Sequence, residues 1–166
     1  MDSRALLDEL PRLRRYARAL VGERAAADDL VQDTLERAWA KAHQWRAGSS
    51  LRNWLFAIMH SVRVDQWRRG ELPMAAFDEQ SMDTPTRATQ EDGLALNDLA
   101  TALGALPEEQ RSVLLLVGLE EMSYAEVAAT LAIPIGTVMS RLARGRERLR
   151  QLLAEPDAPT RLRVVR

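Results

Sequence analysis

Ser123-Tyr-Ala-Glu-Val-Ala-Ala-Thr-Leu-Ala-Ile-Pro-Ile-Gly-Thr-Val-Met-Ser-Arg-Leu-Ala-Arg-Gly-Arg-Glu-Arg-Leu149 is the stretch whose reading decides the fold. Ser123 suits a helix N-cap, and Glu126 three residues on completes a capping box. Val127, Ala128 and Leu131 then recur at helical spacing. Pro134 suits the first turn of a following helix, where its missing N–H costs nothing. In that second helix Val138, Leu142, Leu149, Leu152 and Leu153 share an inward face, while Thr137, Ser140, Arg141, Arg144 and Arg148 line the other. Between Thr137 and Arg150 five arginines stand against one acid, Glu147, a local balance of +4. Two helices, a tight turn and an arginine-lined second helix describe a helix-turn-helix, whose second helix can enter a major groove. The planar fork of arginine holds a phosphate or a guanine edge with two bonds. The stretch predicts contact with duplex DNA. Taken alone, it also fits a solvated arginine-rich helix closing a small bundle.

Charge is unevenly spread around this segment. The net charge is −1 over 166 residues, yet Arg52 to Arg69 carries four arginines against Asp65. Glu71 to Asp98 carries seven acids against Arg87 alone. An acidic stretch with Pro73 and Pro85 thus separates two basic helical segments. It reads as a flexible linker over residues 71–94, since so long a loop within one compact domain is unusual. The expected architecture is all-α: a helical domain over 1–70, the linker, a second helical domain over 95–154, and a disordered tail over 155–166.

The first domain reads as three or more helices. Residues 3–21 place Leu6, Leu10, Leu13, Ala17 and Leu20 on one side. Over 25–44 an apolar stripe of Ala27, Leu30, Val31, Thr34, Leu35, Ala38, Trp39 and Ala42 recurs at three and four, opposite Asp29, Gln32, Asp33 and Glu36. A third helix over 50–69 has Ser49 and Ser50 to cap it and buries Leu51, Trp54, Leu55, Ile58 and Val62. Its other side carries His60, Ser61, Asp65, Arg68 and Arg69. The connection Trp45 to Asn53 is polar and glycine-containing. Such a loop can accept an extruded base by stacking and edge hydrogen bonds, or serve as a plain interhelical turn.

Enzymatic readings find no support. With no cysteine and only His43 and His60, a metal cluster is hard to assemble, and no cofactor is expected. Asp28 and Asp29 are neighbours on a helix and point apart, so they make no acid/base pair. No glycine-rich phosphate loop is present. The N-terminus is too charged for a secretory signal and no apolar run reaches bilayer length, so a cytoplasmic protein without membrane insertion is expected.

Asp29-Leu-Val-Gln-Asp-Thr-Leu-Glu-Arg-Ala-Trp39 and Leu51-Arg-Asn-Trp-Leu-Phe-Ala-Ile-Met-His-Ser-Val-Arg-Val-Asp-Gln-Trp-Arg-Arg69 resemble domain 2 of bacterial extracytoplasmic-function sigma factors, members of the sigma-70 family. Leu106-Pro-Glu-Glu-Gln-Arg-Ser-Val-Leu-Leu-Leu-Val-Gly-Leu-Glu-Glu-Met-Ser-Tyr-Ala-Glu-Val-Ala128 together with Gly136 to Arg144 resembles their domain 4. The resemblance implies a protein that binds core RNA polymerase and directs promoter-specific initiation. It implies docking of Asp29, Gln32, Asp33 and Glu36 on the β′ clamp helices, with the β subunit as a further contact. It assigns Trp45, Ser49, Asn53, His60, Ser61, Arg63, Arg68 and Arg69 to the −10 element, which is opened as single strand. It assigns Thr137, Met139, Ser140, Arg141, Arg144 and Arg148 to the −35 duplex. An anti-sigma factor is the expected regulatory partner.

This chain departs from the family pattern in three places. Ser61 stands where many relatives have asparagine, Met139 where many have lysine or arginine, and Ala132 where many have glycine. A stand-alone helix-turn-helix regulator explains the C-terminal third, but leaves the Asp29–Glu36 face and the Trp45–Arg69 segment without a role.

Overall fold

Helix α1 (Ser3–Val21) begins where the Asp2 carboxylate accepts a hydrogen bond from the Arg4 amide at 3.1 Å. It stops at Gly22, φ +83°, whose N–H returns to the Arg18 carbonyl. Only glycine takes such a positive φ without steric cost. These elements come from a computed structural model that describes residues 1–72 and 94–154. Of the expected linker only Glu71, Leu72 and Leu94 fall among the described residues, and the expected tail over 155–166 lies outside them.

Helix α2 (Arg24–Ala40) packs on α1 and buries Ala27, Leu30, Val31, Thr34 and Ala38. The buried Thr34 hydroxyl is satisfied by donating to the Leu30 carbonyl at 2.7 Å. The helix ends earlier than the 25–44 stripe predicts. Lys41 breaks it, and Ala42–Gln44 form a 3₁₀ turn. Trp39, expected on the inward stripe, is 58% exposed. Ala38 takes the inward position one turn beyond Thr34, and the next residue points about 100° away from it.

Helix α3 (Leu51–Arg68) is capped by Ser50, whose hydroxyl accepts from the Asn53 amide at 3.2 Å. Leu55, Phe56, Ile58, Met59 and Val62 are buried, and Phe56 meets Tyr16 of α1 edge-on with ring centroids 5.0 Å apart. Leu51 and Trp54 are only partly covered. In the C-terminal half α4 (Leu94–Gly104), α5 (Glu108–Gly118), α6 (Tyr124–Leu131) and α7 (Ile135–Ala154) enclose Val113, Leu116, Met122, Val127, Leu131, Val138 and Leu142. Gly145 lets α7 lie close on α5, since a Cβ there would stand 3.0 Å from Leu114 Cδ1. Burial thins along α7: Leu149 and Leu152 are half-covered, and Leu153, expected inward, is exposed.

The described residues are thus all-α, in two helical units that touch extensively. Helix α1 packs against α4 and α5, and α3 against α6, so the buried apolar residues of both halves join in one core. One guanidinium ties this junction. Arg111 donates to the carbonyls of Leu103 (2.7 Å), Gly104 (3.1 Å) and Leu106 (2.6 Å), and also to Leu20 at the end of α1. It thereby gathers carbonyls from the end of α1, the end of α4 and the turn that follows α4. Arg111→Ala is expected to lower stability by about 2–4 kcal/mol. Arg111→Lys should recover less than half of that loss, because an ammonium lacks the planar fork that spans several acceptors. Urea unfolding of the three proteins reads both effects.

Candidate nucleic-acid interface

The acidic face of α2 is presented as its period requires. Asp29, Gln32, Asp33 and Glu36 are all exposed, and Gln32 donates to Glu36 at 3.2 Å, one turn apart. A cleft of about 490 Å³ runs along the neighbouring α1–α2 groove, lined by Arg14, Arg18, Arg24, Asp28, Leu10 and Leu35 among others. Gln32 and Asp28 border this groove beside the arginines, so it adjoins the acidic face directly.

The loop before α3 folds on itself. Ser49 donates its hydroxyl to the Arg46 carbonyl at 2.6 Å, and Gly48 takes φ +97°. Trp45 is half-buried, and its Nε1 is covered from solvent with no hydrogen-bond partner. Asn53 donates Nδ2 to Glu126 of α6 at 2.7 Å, while its Oδ1 is also covered and unpartnered. This bond and the Ser123 hydroxyl hold the Glu126 carboxyl below the usual range.

Along α3, Ser61 and Asp65 both accept from Arg37 of α2, at 3.0 and 2.6 Å. That bond is the main reason the Asp65 carboxyl titrates low. Arg63 is not on an open face: it is 9% exposed, and its Nε and Nη2 reach Glu108 Oε1 at 2.9 and 2.6 Å. Its Nη1 donates to Gln66 at 3.2 Å. Arg68 and Arg69 are exposed, the latter 3.2 Å from Glu71. His60 is half-buried, and its pKa is depressed by burial first and by the nearby Arg141 second.

The helix-turn-helix has the expected form. The Ser123 hydroxyl accepts from the Glu126 amide at 3.1 Å, and the chain bends by 105° between α6 and α7. Ala132 makes the turn in the left-handed region at φ +54°, which explains why glycine suits this position. Pro134 lies just before α7, its carbonyl accepting from the Thr137 and Val138 amides. On α7 Met139, Ser140 and Arg144 are exposed; Thr137, Arg141 and Arg148 are half-covered. Arg141 lies 3.6 Å from Glu109.

The two sets of predicted DNA residues meet. A cleft of about 210 Å³ between the units is lined by His60, Arg63 and Trp67 on one side and by Glu108, Glu109 and Arg141 on the other. Elsewhere along the junction Glu120, fully buried, lies 3.2 Å from Arg15 and 3.7 Å from Arg12. Nothing in the sequence points to the cross-unit contacts of Glu108, Glu120 and Arg111, and Glu126 is expected there only as the partner of Ser123 in a capping box. Acids in the first turn of a helix look like ordinary partners of its dipole, and nothing local marks them as reaching another unit.

Residues 6–60 match the family model described as the Sigma2 domain of PhyR, and residues 96–149 match Sigma-70, region 4. The chain is 36% identical to the ECF RNA polymerase sigma factor EcfG of Rhodopseudomonas palustris over 149 residues, 89% of this chain and 82% of the relative. The chain belongs to the ECF RNA polymerase sigma factors. It is also 35% identical to the sigma factor SigL of Mycobacterium tuberculosis, over 92% of this chain and 89% of that one. Among solved structures, the sigma factor RpoE of Bartonella quintana, crystallised with the anti-sigma factor NepR, is similar with a TM-score of 0.75 and 37% identity. That likeness covers 92% of this chain and 96% of RpoE. As a sigma factor this chain directs promoter-specific transcription initiation. No single described helix is long and apolar enough to cross a membrane.

His60 gives the junction a pH dependence of defined sign. Its pKa in the packed protein lies below the unfolded value of about 6.5, so the neutral form is favoured on packing. Its contribution is fully present above that value and is lost as pH falls toward the depressed pKa. Asp65 and Glu126 titrate low and act only in more acid solution. Stability is expected to fall between pH 7 and 5, and His60→Gln should flatten that slope in urea titrations at the two pH values.

Proposed function

We propose that this sigma factor docks core RNA polymerase through the exposed α2 face of Asp29, Gln32, Asp33 and Glu36, with the β′ clamp helices and the β subunit as the surfaces it meets. The domain that does this spans 1–70, a linker over 71–94 bridges to the domain over 95–154, and 155–166 is a tail. Arg141, Arg144 and Arg148, with Thr137, Met139 and Ser140, read the −35 duplex from α7. Trp45, Ser49, Asn53, His60, Ser61, Arg63, Arg68 and Arg69 capture the −10 element as single strand.

One observation carries the strand-capture reading. Trp45 Nε1, on the loop that would take the extruded base, and Asn53 Oδ1, in the first turn of α3 just after it, are both covered and unpartnered. Buried polar atoms without partners are uncommon in native structures and mark sites awaiting a ligand or water. An indole donor and an amide acceptor together suit the edge of a base.

A regulatory partner follows from the relatives. RpoE was crystallised with NepR, and CnrH, 26% identical with a TM-score of 0.67, was solved with the cytosolic domain of CnrY. By likeness, this sigma factor is held by an anti-sigma protein in the cytoplasm until released.

Transcription by purified core polymerase on randomised promoter fragments tests the whole reading. Factor-dependent transcripts sharing two spaced upstream motifs support it. Specific DNA binding without any transcript favours a stand-alone regulator. Within that assay, Asp29→Lys with Asp33→Lys is expected to weaken binding to core about tenfold or more, because like charges across an interface cost several kcal/mol. Circular dichroism should be unchanged, since both side chains are exposed. Arg144→Ala should cost about 1–3 kcal/mol of discrimination at one −35 position if it holds a base edge with two bonds.

A further inference from the structure

We infer that the free protein inhibits itself by intramolecular mimicry: Glu108 and Glu126 of the C-terminal unit occupy the strand-binding residues Arg63 and Asn53 in place of promoter DNA. The inference rests on the assignment of α3 and its preceding loop to the −10 strand, and adds how that face is kept covered.

The geometry is specific. Glu108 Oε1 receives two charge-assisted bonds from Arg63, at 2.9 and 2.6 Å, as a phosphate oxygen would. Glu126 Oε2 takes the Asn53 amide at 2.7 Å, in the way a base acceptor would. His60 and Trp67 of the same helix line the cleft shared with Glu109 and Arg141. The carboxylates lie on two separate elements, the N-terminus of α5 and the first turn of α6. A single rigid displacement of the C-terminal unit would therefore release both residues together. The same displacement would open the cleft that Arg141 lines.

The polar part of the junction is the part a nucleic acid can compete for. The Arg63–Glu108 pair borders a cleft of about 210 Å³ that the neighbouring apolar packing leaves unfilled. Buried ion pairs contribute little net stability, because desolvation offsets most of their attraction. A competitor that supplies phosphates to Arg63 loses little by displacing Glu108. Because the open form alone binds strand, the apparent affinity of the free protein is reduced by the open fraction.

The experiment uses the full chain, Glu108→Gln with Glu126→Gln, and a charge-matched control, Glu121→Gln with Glu147→Gln. Glu121 and Glu147 are exposed in the same unit, and among the described residues Glu147 pairs with Arg150 and Gln151 of its own helix. The probe is a fluorescent random-sequence single-stranded 15-mer, read by anisotropy without polymerase, and small-angle scattering measures the size of each protein. The interface variant is expected to bind at least about fivefold more tightly than the control and to have a larger radius of gyration. Equal binding and equal size for variant and control would overturn the mimicry, since the loss of two acids alone then explains any gain. Transcription with core polymerase separates the two readings. If the variant opens but no protein supports factor-dependent transcripts, the promoter assignment fails and the intramolecular competition stands. If transcripts appear while variant and control behave alike, the mimicry fails alone.

Discussion

The buried pair of Arg63 and Glu108 sets the relation between the two halves of this chain. Removing both charges from water is costly, and the cost is met only where the geometry is good. Here two nitrogens of Arg63 converge on one Glu108 oxygen while the third donates to Gln66. A pair of this kind adds little to stability, yet it is strict about position, because either charge left alone in the interior would be severely unfavourable. With Glu108 fixed at the start of α5, Arg111 lies one turn further on and reaches the Leu20 carbonyl. The fully buried Glu120, just beyond the end of α5, then faces Arg12 and Arg15 of α1.

Opposite charges meet across this junction, with arginines of α1 and α3 facing acids of the C-terminal unit. A net charge of −1 conceals a basic α3 segment and clusters of acid elsewhere. A chain with the same total spread evenly would have no face complementary to its own other half. Near-neutrality also leaves little long-range attraction for DNA, so recognition depends on local arginine clusters. Those clusters are therefore valuable to cover when the protein is free and to expose when it is bound.

Local features were legible in the sequence because local rules decide them. Ser50 and Ser123 cap where their spacing to the next amide demands, and the stripe from Ala27 to Ala38 is buried as its period requires. The misreadings lie at helix ends, where the period loses its tertiary support: Trp39 turns outward next to the break at Lys41, and Leu153 is exposed near the end of α7. Contacts between the halves were not legible. Glu108 and Asn53 each have an ordinary local explanation, as a first-turn acid and as a polar residue after a cap. Their partners lie 45 and 73 residues away. The family resemblance describes which faces meet polymerase and DNA, but it says nothing of how those faces are covered in the free chain.

The covered arrangement carries its own reason to be temporary. Trp45 Nε1, Asn53 Oδ1 and Glu120 Oε2 are shielded from water without a hydrogen bond, and Glu120 Oε2 has only a distant Arg12 at 3.7 Å. An unmade bond on a buried polar group costs about 1–3 kcal/mol, so Asn53 Oδ1 and Glu120 Oε2, both at the junction, count against the closed form. One of the three lies on the loop proposed to take the extruded base, and another in the first turn of α3 that follows it. A bound strand would give the indole an acceptor and the amide oxygen a donor, contacts that the closed form lacks. A ligand shifts a conformational equilibrium only by its differential affinity for the two states. On the proposed reading that difference comes from Arg63 and Asn53, which would exchange carboxylates for nucleic acid, and from Trp45, whose indole N–H would gain an acceptor.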